Sequence, residues 1–371
     1  MHVVSPVPTE RLIMHVVSPV PTETWNEVLA ADPGATAQQT PEYAAAVRQA
    51  VGGRDASRLY VLDNGRRLLL PLVRRKSLPW LRFEAGYPTG YGHGGLLAEG
   101  GLRPSDVRAV VEDLRAQGAM SIAIDGHHHT ANQWLTSGVD ELPGVLARQR
   151  RVDVLDLAGG FDDLWKRFKP NVRRNFRKAE REGVRVEFDT SARLIPVFYD
   201  IYLAWVEARL PESRVPAPIA RRLARQREPL KKLEKVAALL GDKCRVCVAW
   251  HRDKPVAASI TLVHGQHATG WRNYSIKNLS APVAANTFMH IAEFKSAVAS
   301  GCRYFDLGQS SGVPGLLGYK LSLGGVPREI IDLRVEPAAV TRLRAIKDRA
   351  EASLIEALQR RSSKPATVAE G

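Results

Sequence analysis

CRVCVAWHRDKPVAASITLVHGQHATGWRNYS, residues Cys244–Ser275, reads as three consecutive strands, with turn residues gathered at Asp253-Lys254-Pro255 and at Gly265-Gln266. Pro282–Ser300 then has the pattern of a helix stopped by Gly301, and RYFDLG, from Arg303, returns to strand. Strands, a helix and a further strand predict a sheet covered by a helix, an α/β arrangement. Cys244 and Cys247 have the spacing of a redox pair, yet on a strand positions three apart point to opposite faces.

Upstream, RVDVLDL (Arg151–Leu157) is a strand that leads directly into a basic helix. Lys166, Arg167, Lys169, Arg173, Arg174, Arg177, Lys178 and Arg181 stand there against a single acid, Glu180. Pro170 suits a first helical position and Gly183 a left-handed stop, so one helix is expected over Pro170–Glu182. Val172, Phe176 and Ala179 make its narrow apolar stripe, which leaves Arg174, Arg177, Lys178 and Arg181 stacked on a solvent face. Like charges at that spacing repel by roughly a few tenths of a kcal/mol per pair. A bound polyanion would relieve the repulsion; the alternative is a solvated face that keeps the protein soluble. A helix over Leu194–Arg209 follows, then a basic helical segment, residues 205–240, with Arg214, Arg221, Arg222, Arg225, Arg227, Lys231, Lys232 and Lys235. It either extends the anion-binding surface or forms a solvated arm.

The first part of the chain repeats the α/β alternation. Thr40–Val51 reads as a capped amphipathic helix, and RLYVLDNGRRLLLPLVRRK as two strands joined at Asn64-Gly65, a strong hairpin signal. RFEAGYPTGYGHGGLL, from Arg82, is glycine-rich and reads as loop; Pro104–Gln117 is a helix and MSIAIDG a strand. Met1–Glu10 recurs letter for letter as Met14–Glu23, so residues 1–23 are read as a duplicated leader outside the fold. Residues 24–150 then form a first unit and 151–336 a second, with 337–371 a terminal helix and tail.

Composition sets outer limits. The chain has 371 residues, enough for two domains, and 44% hydrophobic with 25% charged residues is globular, not disordered. A formal net charge of +14 favours anionic partners such as RNA. Three cysteines make no disulfide framework, which suits a reducing cytoplasm, and no His/Cys set has zinc-site spacing. His127, His128 and His129 follow Asp125-Gly126 in an apparent loop and read as a surface triplet, so no metal is expected. No stretch of about 20 apolar residues suggests a membrane span.

The last motif is FDLGQSSGVPGLLGYKLSLGG, Phe305–Gly325, read as a glycine-rich strand exit that holds up one lysine; Gly308 and Gly312 serve backbone geometry. Together with LWKRFKPNVRRNFRKAEREGV and the strand–helix–strand order between, it resembles the Fem-type aminoacyl-tRNA-dependent transferases, of the peptidoglycan-bridge and natural-product type, in the GNAT superfamily. The resemblance covers most of Arg151–Pro327. It implies two tandem GNAT-like domains, each a mixed sheet flanked by helices, the first on the acceptor side and the second on the donor side. It also implies transfer of an amino acid from aminoacyl-tRNA to an amine, the tRNA being co-substrate and no further cofactor being needed.

By the same resemblance Tyr319 and Lys320 match the aromatic-lysine pair beside the tRNA acceptor end. A fixed ammonium there can stabilise the oxyanion of acyl transfer, and a tyrosine can stack on a base. Lys169, Arg173, Arg174, Arg177, Lys178 and Arg181 become the tRNA contact. Trp271, Asn273 and Tyr274 fall where GNAT strands splay to admit the donor, and Tyr87, Tyr91 and His93 are candidates for the acceptor pocket. The acceptor is a small molecule or cell-wall precursor. Coenzyme A enters only in the alternative, an acyl-CoA or acyl-carrier-protein N-acyltransferase, because SAPVAANT (Ser280–Thr287) lacks the glycine-rich pyrophosphate turn. A third possibility is a non-catalytic RNA-binding protein on the same fold.

Overall fold

A computed structural model describes residues 14–75, 82–87, 90–209, 217–310 and 314–346, with 349 and 353. Arg214, Gly312 and the first copy of the repeat lie outside the described residues. Fifteen strands are described: β1 Met14–Val17, β2 Arg54–Asp55, β3 Arg58–Leu62, β4 Arg67–Leu70, β5 Val73–Arg74, β6 Phe83–Ala85, β7 Leu97–Ala98, β8 Ser121–Asp125, β9 Val145–Asp156, β10 Arg185–Asp189, β11 Cys244–His251, β12 Lys254–His264, β13 His267–Ser275, β14 Tyr304–Asp306 and β15 Val326–Val335. Four of them form a small sheet in the order β1-β3-β4-β7; the other eleven form one sheet ordered β10-β11-β12-β13-β14-β9-β15-β8-β6-β5-β2. The architecture is the expected mixed α/β.

The quoted stretch folds as β11, β12 and β13, paired antiparallel in sequence order. The central β12 is buried on both sides from Val256 to Val263, as its unbroken apolar run requires. Cys244 and Cys247 belong to core clusters on opposite faces of this sheet. One face is covered by the helices Ile195–Glu207 and Leu230–Leu240, the other by Ala285–Ala299.

β13 runs parallel to β14 over His267–Thr269 against Tyr304–Asp306, and β14 ends there. The remainder of β13 has no partner on that side among the described residues, so the sheet opens into a wedge. A register shift between Ile260 and Thr261 leaves Trp271 as the extra residue on β13, at the mouth of the wedge. Such a bulge re-aims the side chains beyond it.

The two halves share their longest strands. Ten residues of β15 pair with β9, and the same strand pairs with β8. Consequently Ile331, Leu333 and Val335 sit in the core of the first half, beside Ile122, Ile124 and Trp134. In the first half Thr40 caps Pro41–Val51, its hydroxyl accepting from the Tyr43 N–H, and Gly52 ends that helix at φ +63. Asn64-Gly65 turns the β3–β4 hairpin as expected, Gly65 at φ +78.

Residues 1–23 as a segment outside the fold need correction. The second copy of the repeat is structured: Met14–Val17 is β1, paired antiparallel with Val17 opposite Leu59, and Val20 is buried. Its consecutive valines serve the strand's two faces: Val16 packs on the main core of the first half and Val17 on the small core around Trp25. Residues 338–346 are helical, in agreement with a terminal helix. None of the described helices is long and apolar enough to cross a membrane.

Candidate active site

The helix Pro314–Ser322 carries Tyr319 and Lys320, so the strand exit of the late motif leads into a helix that holds the lysine. Lys320 is buried, and its Nζ donates to the carbonyls of Gly308 at 2.7 Å and Gln309 at 2.9 Å. Asp153 lies 3.7 Å away and accepts a short hydrogen bond from Ser310. Burial lowers the ammonium's pKa, while Asp153 and Asp306 push it back up. Two of its three N–H groups are thus committed to the loop after β14. In this arrangement Lys320 fixes the loop backbone. Asp306 accepts from the Gly308 N–H at 2.6 Å, the turn-holding role that its place at a strand end suggests.

Tyr319 turns the other way, toward the wedge. Its ring is 5.8 Å from that of His290, and it lies beside Asn286 and Thr287 in the first turn of Ala285–Ala299. Burial pushes its phenol pKa up. Its hydroxyl and the Asn286 side-chain oxygen are both buried, and the Asn286 and Thr287 side chains lie close enough to the hydroxyl to act against the effect of burial.

His290 is absent from the candidates that the sequence suggests. Its Nδ1 is 3.1 Å from Glu293, one turn along the same helix, and its Nε2 is 3.3 Å from the Asn273 amide. Glu293 is buried and accepts from Ser259 at 2.7 Å and Thr261 at 2.6 Å, both on β12. A carboxylate fixed in this way holds Nδ1 as the donor and makes Nε2 the acceptor side of the ring at the wedge, where the Asn273 amide N–H now meets it. The signal was available: a His and a Glu at i,i+3 within the otherwise apolar run FMHIAEF place both on one face.

Of the three candidates on β13, Asn273 alone meets this array. Trp271 is in the core, edge-on to Tyr43 at 6.2 Å, and Tyr274 packs among Phe198, Tyr202 and Trp205. Tyr87 and Tyr91 also join that core; the Tyr87 hydroxyl donates to the Gln38 carbonyl, and Tyr43 donates to the Tyr91 carbonyl. Lys232 lies over the Tyr91 ring at 4.1 Å and pairs with Glu228 at 2.7 Å, so this member of the basic segment faces inward. His93 has different neighbours, Asp306, Arg150, Asp332 and His128.

The basic helix spans Pro170–Arg181, with Gly183 at φ +72 beyond its end. Val172 and Ala179 are buried, and Phe176 stacks on Phe288 at 5.0 Å. Lys169, Arg174, Arg177 and Arg181 are exposed. Arg173 instead turns back on the preceding helix, donating to the Trp165 and Lys166 carbonyls at 3.4 Å. Among the described residues no carboxylate pairs with any of the six candidate cations on this helix. The helix starts at the motif: the Lys169 N–H donates to the Ser322 carbonyl at 3.0 Å.

The histidine triplet is not the exposed surface run expected: His127 is buried, and His128 and His129 are half-buried. Gly126 donates to the Ile331 carbonyl of β15 at 2.8 Å, and this bond draws the loop beneath that strand. His127 is buried, and its ring centroid lies 4.1 Å from that of His128 and 5.0 Å from that of His129.

Residues 166–321 match the family model of the acetyltransferase (GNAT) domain. Among solved structures, FemX aligns at 12% identity with a TM-score of 0.52, covering 85% of this chain and 96% of its own. A conserved protein of unknown function from Bacteroides thetaiotaomicron VPI-5482 aligns at 10% identity and TM-score 0.53, covering 85% of this chain and 97% of its own. These likenesses concern the fold. No curated protein matches the chain in sequence.

Proposed function

We propose that this chain, whose residues 166–321 match the acetyltransferase (GNAT) domain model, moves an aminoacyl group from aminoacyl-tRNA to an amine. One observation carries the reading. The exposed arginine face of Pro170–Arg181 begins at the backbone of the Tyr319–Lys320 helix, and on the far side of Tyr319 an oriented imidazole waits at the open wedge. On this reading a polyanion held by that face would present its end to His290.

In the proposed step the acceptor nitrogen attacks the ester carbonyl carbon and forms the C–N bond. His290 Nε2 takes the proton that the nitrogen loses. The carbonyl–ribose C–O bond then breaks, and the same proton passes from His290 to the departing ribose oxygen. The ester is already activated, so the exchange needs no further reactant. Tyr319 and Asn286 offer buried polar groups to the aminoacyl end, and Lys320 keeps the loop after β14 in place.

Purified protein is incubated with mixed charged tRNA and a panel of amines, with and without RNase. RNase-sensitive amide formation is expected. Transfer that survives RNase and runs on acyl-CoA would favour the alternative donor, and salt-dependent tRNA binding without turnover would favour a binding protein.

A further inference from the structure

We infer that the histidine cluster between the two halves of the sheet is a binding site for one divalent transition-metal ion of the zinc type. His127, His128 and His129 each offer a ring nitrogen, and these atoms lie within 4.8 Å of one another. The second half of the chain adds His267, whose ring is 4.1 Å from that of His129 and 5.7 Å from that of His127.

His127 Nδ1 accepts from the His129 N–H at 3.4 Å and the His267 ring bonds the Pro33 backbone, but the other ring nitrogens of the cluster are open. His127 Nε2, both nitrogens of His128, His129 Nε2 and His267 Nδ1 are buried without a hydrogen-bond partner among the described residues. His127 is 4% and His267 3% exposed. Buried polar atoms are nearly always satisfied, and a knot of orphaned imidazoles needs something to satisfy it. A zinc-type ion accepts neutral imidazole nitrogens at about 2.0–2.1 Å; the triplet supplies three such nitrogens close together, and His267 stands beside them as a fourth.

Two further features fit. Asp306 Oδ2 is 3.8 Å from His128 Nδ1, a carboxylate placed to orient a ligating ring. A cavity of about 280 Å³ lined by His128, His129, Asp156, Tyr304 and Arg328 gives an ion a way in. An all-imidazole set selects zinc, copper, nickel or cobalt over calcium or magnesium.

The test uses the full chain, purified without a metal-affinity step and stripped with chelator. Titration with Zn²⁺ and with Co²⁺ is followed by calorimetry and, for Co²⁺, by its visible spectrum. One ion per chain is expected, with at least 100-fold weaker binding in the His127→Asn/His129→Asn double variant and no change in the His15→Asn/His251→Asn control. Should the double variant not fold, X-ray absorption on the wild-type Co²⁺ complex decides, with three or more imidazoles expected around the ion. A folded wild-type protein that takes up no stoichiometric ion, or an ion surrounded only by water or carboxylate oxygens, overturns the inference.

Discussion

Tyr319 and Lys320 are adjacent in sequence, yet they do different things. Lys320 ties down two carbonyls of the loop after β14, whereas Tyr319 faces His290. Substitution should separate anchoring from chemistry. His290→Gln is expected to lower kcat by roughly 100- to 10,000-fold, the usual contribution of a general base, with the unfolding midpoint near wild type. Lys320→Met strands buried carbonyls at about 1–3 kcal/mol each, so it should lower the melting temperature together with turnover. Full kcat in the first variant would remove His290 from the chemistry, and a wild-type melting temperature in the second would deny Lys320 its anchoring role.

Lys232 supplies a pH test at the same scale. Burial pulls its pKa down to about 8 from an ordinary 10.5, against the pull of Glu228. A base with a depressed folded pKa binds fewer protons folded than unfolded between those two values. Stability attributable to this group is therefore full above about 10.5 and is lost as pH falls through about 8. The span corresponds to on the order of 3 kcal/mol. Urea titrations at several pH values across this window should show the rise in wild type and not in Lys232→Met; equal slopes in both would refute the assignment.

At the scale of elements, the basic helix was legible from end to end, because Pro170, the apolar stripe and Gly183 are local signals and nothing in the tertiary structure overrides them. The strand–turn–strand reading of Cys244–Ser275 agrees with the structure for the same reason. The helix over GLLGYKLS was not legible, because glycines and leucines in close succession carry no clear period; the Leu323 and Gly325 N–H groups close it on the Tyr319 and Lys320 carbonyls. The buried histidines were illegible, since a loop's depth is set by β15, which lies some two hundred residues away in sequence. The His290–Glu293 pair needed β12 to supply its two hydroxyls. Arg174→Glu with Lys178→Glu tests whether the basic helix holds RNA. Affinity for tRNA should fall about tenfold or more, and the slope of log K against log salt should flatten, each lost phosphate contact being worth about one unit. An unaltered slope would return this face to a merely solvated one.

For the whole molecule, the shared strands matter most. The core of the first half contains Ile331, Leu333 and Val335 from β15, and β9 runs through both halves. Neither half is a closed structure alone, so the full chain should unfold in one cooperative transition, by calorimetry or by denaturant with two probes. Leu333→Ala should cost about 2–5 kcal/mol and shift that whole transition; two resolved transitions, only one of them displaced, would contradict this.

Because β15 inserts between β8 and β9, its slot stays vacant while the ribosome is still making everything from Leu157 to Gly325. During that interval the flanks of two finished strands are open to any passing polypeptide. Slow translation or early termination before Val326 should therefore turn this chain into a client of the cell's chaperones.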